Sequence, residues 1–281
     1  MKVQLFRSLF LLATLVVLVV AFGQKFGHRD AFVVSVTLAL GIIGVFLWYG
    51  DIRLVPLLQV EEIEGHDPWG IRKRLSVLSE RARVSLPRIF IIPSDTPQAL
   101  AVGQSQNSGK IFLTQGLLKL LTPDELNAVL AYNLMCIKNR STVSFTIGSA
   151  MADAILSVGG SVDWLINWLL GSGHHAKKRR VQLVTWLVAP AAALMVRLSV
   201  GKLPYLQADH GTAQLLGEGR TLATVLWKLH SYALTQPFAV SPATAHFFMV
   251  NPLTTNHWGR YFHAHPQIRE RIQNLIGHYP I

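Results

Sequence analysis

Leu121-Thr122-Pro123-Asp124-Glu125-Leu126-Asn127-Ala128-Val129-Leu130-Ala131-Tyr132-Asn133-Leu134-Met135-Cys136-Ile137-Lys138-Asn139-Arg140 is the stretch on which the fold reading turns. Thr122 suits a helix N-cap, proline is tolerated in the first turn, and Glu125 completes a capping box. Leu126, Val129, Leu130 and Ile137 then recur at helical spacing, which predicts a helix to about Lys138.

Working upstream, Gly70 to Val84 reads as an amphipathic helix, with Ile71, Leu75, Leu78 and Ala82 on one face. Three short strands follow: Arg88 to Ile92 between two prolines, Ala99 to Val102, and Lys110 to Thr114 after the polar turn region Gly103 to Gly109. Downstream of Val200 the pattern is helical, with breaks at Gly217, Pro237 and Pro252.

The chain has 281 residues, of which 51% are hydrophobic and only 15% charged, too apolar for an ordinary soluble domain. Val3 to Phe22 and Phe32 to Tyr49 are each about long enough to cross a bilayer core. Ala21-Phe22-Gly23 resembles a signal-peptide cleavage site, but the second apolar stretch follows so closely that a hairpin of two spans is the better reading. Thr142 to Leu170 carries Asp153 and Asp163, and Val181 to Val200 carries Pro190 and Arg197. A carboxylate near mid-span costs roughly 2.5–3.5 kcal/mol on insertion scales, so whether these two segments cross is left open. Lys177 to Arg180 in the loop between them, beside His174 and His175, runs against the positive-inside rule if both do.

The formal net charge of +11 comes from 26 Lys and Arg against 15 Asp and Glu. In so apolar a chain this charge fits an anionic membrane surface rather than nucleic acid. Arg53, Arg72, Lys73, Arg74, Arg81, Arg83 and Arg88 follow the second span, against Lys25 and Arg29 between the spans. The bias expects an integral membrane protein with its N-terminus and the segment after Gly50 in the cytoplasm. Cys136 is the single cysteine, so no intrachain disulfide forms.

The Leu121–Ala131 and Ile137–Arg140 blocks resemble the active-site helix of the HtpX-like membrane zinc metalloproteases. In that family the residues between the blocks read H-E-x-x-H, two histidines for zinc and a glutamate that activates water. Here they read Tyr132-Asn133-Leu134-Met135-Cys136. The resemblance extends to Pro87–Ile92 as a first strand, Pro97–Gly103 as the P-N-A-F-A-x-G edge strand, and Ile111–Leu118. Tyr205-Leu206-Gln207-Ala208-Asp209 is similar to E-[FY]-x-A-D, whose glutamate is the third zinc ligand and whose aspartate supports a zinc-binding histidine. His265-Pro266 with Arg271–Leu275 resembles the H-P-P…R-I-x-x-L block.

The resemblance implies an α+β membrane protein: a transmembrane hairpin over 1–50, then a mainly helical metalloprotease-like domain over 51–281 with a small three-stranded sheet. Two further apolar membrane-associated helices are expected at about 142–170 and 181–200.

Read residue by residue, it also implies a degenerate site. Tyr132, Asn133, Cys136 and Tyr205 stand where two ligands, a base and a third ligand are required, so no catalytic residue, no zinc and no other cofactor are expected. Asp209 and His265 are the matching cleft positions. Whether Cys136, Asp209 and His210 make a non-standard metal site is left open. The expected function is that of a pseudoprotease, not an enzyme, which binds unfolded or membrane-protein segments or regulates an active protease partner. The edge strand Ala99, Leu100, Ala101 and Val102 is expected to take extended peptide by β-addition. Two alternatives stand beside this: an active zinc metalloendopeptidase of membrane protein quality control with unusual ligands, and a structural membrane scaffold.

Overall fold

The structure, a computed structural model, describes residues 60–63, 67–169, 183–236, 243–253 and 264–279, with single positions at 238, 240 and between 13 and 37. The expected hairpin over 1–50 and the loop carrying His174, His175 and Lys177 to Arg180 lie outside the described residues, scattered positions of the former apart.

The described chain begins with a two-residue strand β1 (Glu61–Glu62), a helix α1 (Ile71–Ala82) and strands β2 (Arg88–Ile92), β3 (Ala99–Val102) and β4 (Lys110–Thr114). Helices α2 (Gln115–Leu120), α3 (Pro123–Lys138), α4 (Ser141–Leu169), α5 (Leu183–Ser199), α6 (Leu203–Leu216), α7 (Arg220–Thr235) and α8 (Ile268–Ile276) follow, with a short 3-10 turn at Ala245–Phe247. The fold is mainly helical with a small mixed sheet.

The sheet has four strands in the order β1-β2-β4-β3, not the expected three. β2 and β4 are parallel, while β1 and β3 run antiparallel to their neighbours. β1 carries two glutamates in a row and offers no apolar alternation; the Arg88 guanidinium pairs with Glu62 across the β1–β2 junction.

Side chains alternate between the two faces of the sheet. Ile89, Ile91, Ala99, Ala101, Ile111 and Leu113 pack with α1, α3 and α7. Phe90, Leu100, Val102 and Phe112 face the other way, with Phe145 of α4, Val196 of α5, Tyr205 of α6, and Phe248.

α3 starts as its sequence requires. The Thr122 N–H donates to Glu125 Oε2 at 3.0 Å, and the Glu125 N–H donates to Thr122 Oγ1 at 3.4 Å. Lys228 of α7 adds an ion pair to Glu125 at 2.6 Å, tying α3 to α7. The helix then runs to Lys138 with twelve buried residues, so it is the central helix of the domain.

Among the described residues α4 alone is a single helix long and apolar enough to cross a membrane; α5 and α6, bent by 40° at their break, pass the same test together. The first part of α4 is buried, while Trp164, Leu165, Trp168 and Leu169 near its end are exposed, as are Leu183, Trp186 and Leu187 on α5. Asp163 has a local use in this apolar hairpin. Its carboxylate accepts from the N–H groups of Val184 at 2.9 Å and Thr185 at 2.8 Å, capping the start of α5. The cost expected of a mid-span carboxylate is thereby offset by two otherwise unpaired donors.

Burial opposes the charge on Glu125, but its bonds from Lys228 and Thr122 outweigh that and hold its carboxyl below the ordinary value of 4.5. A depressed folded-state pKa contributes stability above 4.5 that is lost as pH falls through the folded value. Glu125→Gln is expected to cost on the order of 1 kcal/mol at pH 7. Melting temperatures across pH should show the gap from wild type closing under acid conditions; a gap constant down to pH 3 would deny the carboxylate this role.

Candidate functional site

The candidate site lies where α3, α6 and α8 meet. Tyr132 and Cys136 are four apart on α3 and share a face, as do Tyr205 and Asp209 on α6. Between them comes Arg271 of α8, which is 0% exposed. Arg271 Nε donates to Asp209 Oδ2 at 2.8 Å and Nη2 to Asp209 Oδ1 at 2.7 Å, a bidentate pair. Nη1 donates to the Met249 carbonyl at 2.6 Å. The guanidinium carbon lies 5.2 Å from the Tyr132 ring centroid and 5.9 Å from that of Tyr205.

The other expected site residues are turned to local duties. Asn133 donates to the Val129 carbonyl of its own helix at 2.8 Å. Tyr205 Oη donates to the His246 carbonyl at 2.7 Å. His265 Nε2 donates to the Phe248 carbonyl at 2.8 Å, and its ring centroid is 4.5 Å from that of Tyr205. Tyr132 Oη is buried beside the Cys136 thiol. His210 does not join Cys136 and Asp209: it pairs with Gln214 at 2.9 Å and lines an outer groove with Arg81 and Lys138.

Electrostatics follow from burial. Desolvation pushes the Tyr132 and Tyr205 phenols well above their ordinary range and the Cys136 thiol up to about 12, so all three are neutral. Burial works against the Arg271 charge, and the Asp209 carboxylate more than offsets it, keeping the guanidinium protonated.

The zinc ion of the family pattern does not fit these residues. Cys136 is the one ordinary zinc ligand among Tyr132, Cys136 and Tyr205, and the two phenols stand where the pattern has a histidine and a glutamate. A fixed guanidinium beside them repels a divalent ion. Among the described residues, moreover, no group of three or more His, Cys, Asp or Glu is placed to hold a metal.

The expected peptide-binding edge carries a segment of the chain itself. Ala99, Leu100, Ala101 and Val102 do form the edge strand β3, but all four are at most 2% exposed. Leu100 forms an antiparallel bridge with Phe248, and the Met249 N–H donates to the Ala99 carbonyl at 2.9 Å. The chain's own segment covers this edge. His246, Phe248 and Met249, which hold their carbonyls toward Tyr205, His265 and Arg271, were not singled out by sequence reasoning. The apolar run Phe247–Val250 was their only signal.

A metalloprotease-like arrangement of sheet, central helix and cross-packed α6 is therefore present, with an ion pair at its centre. The sequence pattern of Peptidase family M48 matches residues 69–278, and the chain belongs to that family. It is 31% identical over 272 residues to a "Protease HtpX homolog" of Desulforapulum autotrophicum, covering 96% of this chain and 88% of that one. A protein of the same name from Pelotomaculum thermopropionicum is 32% identical over 268 residues, with 94% and 95% covered. The crystal structure of S. mikatae Ste24p shares the fold with a TM-score of 0.51 at 18% identity, over 96% of this chain and 65% of that one. Membrane localisation accords with this family and with the apolar α4–α5 hairpin.

These matches overturn the expectation that the chain is not an enzyme: relatives that align with nearly its whole length are named proteases, and its family is a peptidase family. The erased motif alone had carried that expectation.

With a pKa of about 12, the Cys136 thiolate is about one part in ten thousand at pH 8. Iodoacetamide is therefore expected to leave Cys136 unmodified in the folded protein and to label it fully after denaturation. Rapid labelling of the folded chain, read by intact mass, would place the thiol in an open cleft.

Proposed function

We propose that this chain acts on unfolded or membrane-protein segments in membrane protein quality control, and that its cleft is organised by the Arg271–Asp209 pair without zinc. The family match over residues 69–278 supports action on polypeptide. Arg271, fully buried beside Tyr132 and Tyr205, supports a cleft organised without zinc. A polypeptide lying on β3 has first to displace or pass the Phe248–Met249 segment, so segments in extended conformation are the preferred class.

A second reading, zinc-dependent peptide cleavage with ligands outside the family pattern, is favoured by the names of the relatives. One experiment separates the two. The full chain, purified in detergent, is assayed for zinc content, for binding of fluorescent unfolded casein, and for casein cleavage with and without 1,10-phenanthroline. Casein binding with sub-stoichiometric zinc, and with any cleavage insensitive to the chelator, is expected. Stoichiometric zinc with chelator-sensitive cleavage overturns the zinc-free centre; failure to bind casein overturns the polypeptide reading.

The domain is proposed to face the cytoplasm of a bacterial inner membrane. Arg72, Lys73, Arg81 and Arg83 are exposed on and just after α1, as the positive-inside rule asks of the cytoplasmic side. A Ser105→Cys variant reports on this directly, since Ser105 is exposed and Cys136 is buried. An impermeant maleimide added to intact cells should leave it unlabelled, and labelling from outside would reverse the orientation.

A further inference from the structure

The two tyrosines at former ligand positions do more than fill the cleft. Tyr132 stands where the family pattern has a zinc-binding histidine, and Tyr205 where it has a glutamate. Both rings lie within 6 Å of the Arg271 guanidinium carbon, at 5.2 and 5.9 Å, the range in which an aromatic face attracts a cation. Tyr132 is 2% exposed, Tyr205 and Arg271 0%, so water does not weaken the attraction.

Asp209 takes two N–H groups in the guanidinium plane and the Met249 carbonyl takes a third. Ring faces, a bidentate carboxylate and a carbonyl together make a receptor for a planar cation. An octahedral or tetrahedral ion finds none of this geometry useful.

We propose that Tyr132, Tyr205, Asp209 and the Met249 carbonyl form a guanidinium-binding site that Arg271 fills in the native protein, and that the site, once emptied, takes up a free alkylguanidinium ion. Its positive charge thus belongs to a side chain of the domain and cannot dissociate. The site stands or falls independently of whether the chain binds or cleaves polypeptide.

The test uses the full chain in detergent and reads thermal unfolding. Arg271→Ala is expected to lower the melting temperature by several degrees. Millimolar methylguanidinium should recover part of that loss in a saturable way, while methylammonium at equal ionic strength should not. Neither ion should raise the melting temperature of wild type. Recovery should vanish when Tyr205→Leu is combined with Arg271→Ala. Equal response to the two ions, or no response, overturns the site. If Arg271→Ala does not fold, a double-mutant cycle decides. Tyr205→Leu should then cost clearly fewer degrees in the Arg271→Lys background than in wild type, because an ammonium lacks the planar fork. Equal losses in both backgrounds overturn the proposal.

Discussion

The bidentate contact between Arg271 and Asp209 is the constraint on which the domain's closure depends. It joins α8 to α6 across 62 residues of sequence. The same guanidinium holds the Met249 carbonyl, and Met249 in turn donates to Ala99 of β3. One side chain thus links the last helix, the cross-packed α6 and the sheet edge. Removing one partner of a buried pair typically costs 3–5 kcal/mol, because the other charge is left uncompensated. That is a large share of the roughly 5–15 kcal/mol that holds a domain folded. Replacing both partners by apolar groups need not cost as much, so the pair is better understood as fixing geometry than as adding net stability.

Coverage of β3 follows from the same arrangement. Tyr205, His265 and Arg271 each hold a carbonyl of the segment between His246 and Met249. Three bonds to one short segment, with the Phe248 bridge to Leu100, hold Phe248 and Met249 against the strand. The residues that family reasoning assigns to a metal cleft here grip main chain.

Much of this was legible in the sequence, for reasons that are local. Thr122, Pro123 and Glu125 specify a helix start whatever surrounds them, and α3 begins where they place it. The spacing of Ile71, Leu75, Leu78 and Ala82 marks the buried face of α1. β2, β3 and β4 fall within the apolar runs that predicted them. β1 was not legible because two glutamates carry no alternation; it exists through its pairing with β2. Asp163 looked like a penalty within a span, since the N–H groups it caps lie on another helix. The role of Arg271 was hidden most completely. The resemblance marked Arg271 only as part of the C-terminal block, because its partner Asp209 lies on another helix and is 62 residues away in sequence.

Family membership and site chemistry answer different questions in this chain. The first rests on a pattern matched over residues 69–278. The second rests on a handful of donor atoms, and there the chain has gone its own way. A catalytic zinc keeps an open position for water or substrate, and its charge is available to whatever enters. A guanidinium has its N–H groups in one plane, and three of those on Arg271 are already engaged. Such a centre orients neighbouring groups and supplies a fixed positive field, but it exchanges no ligand. On the proposed zinc-free reading, any action on polypeptide would be built from shape, main-chain bonds and that field.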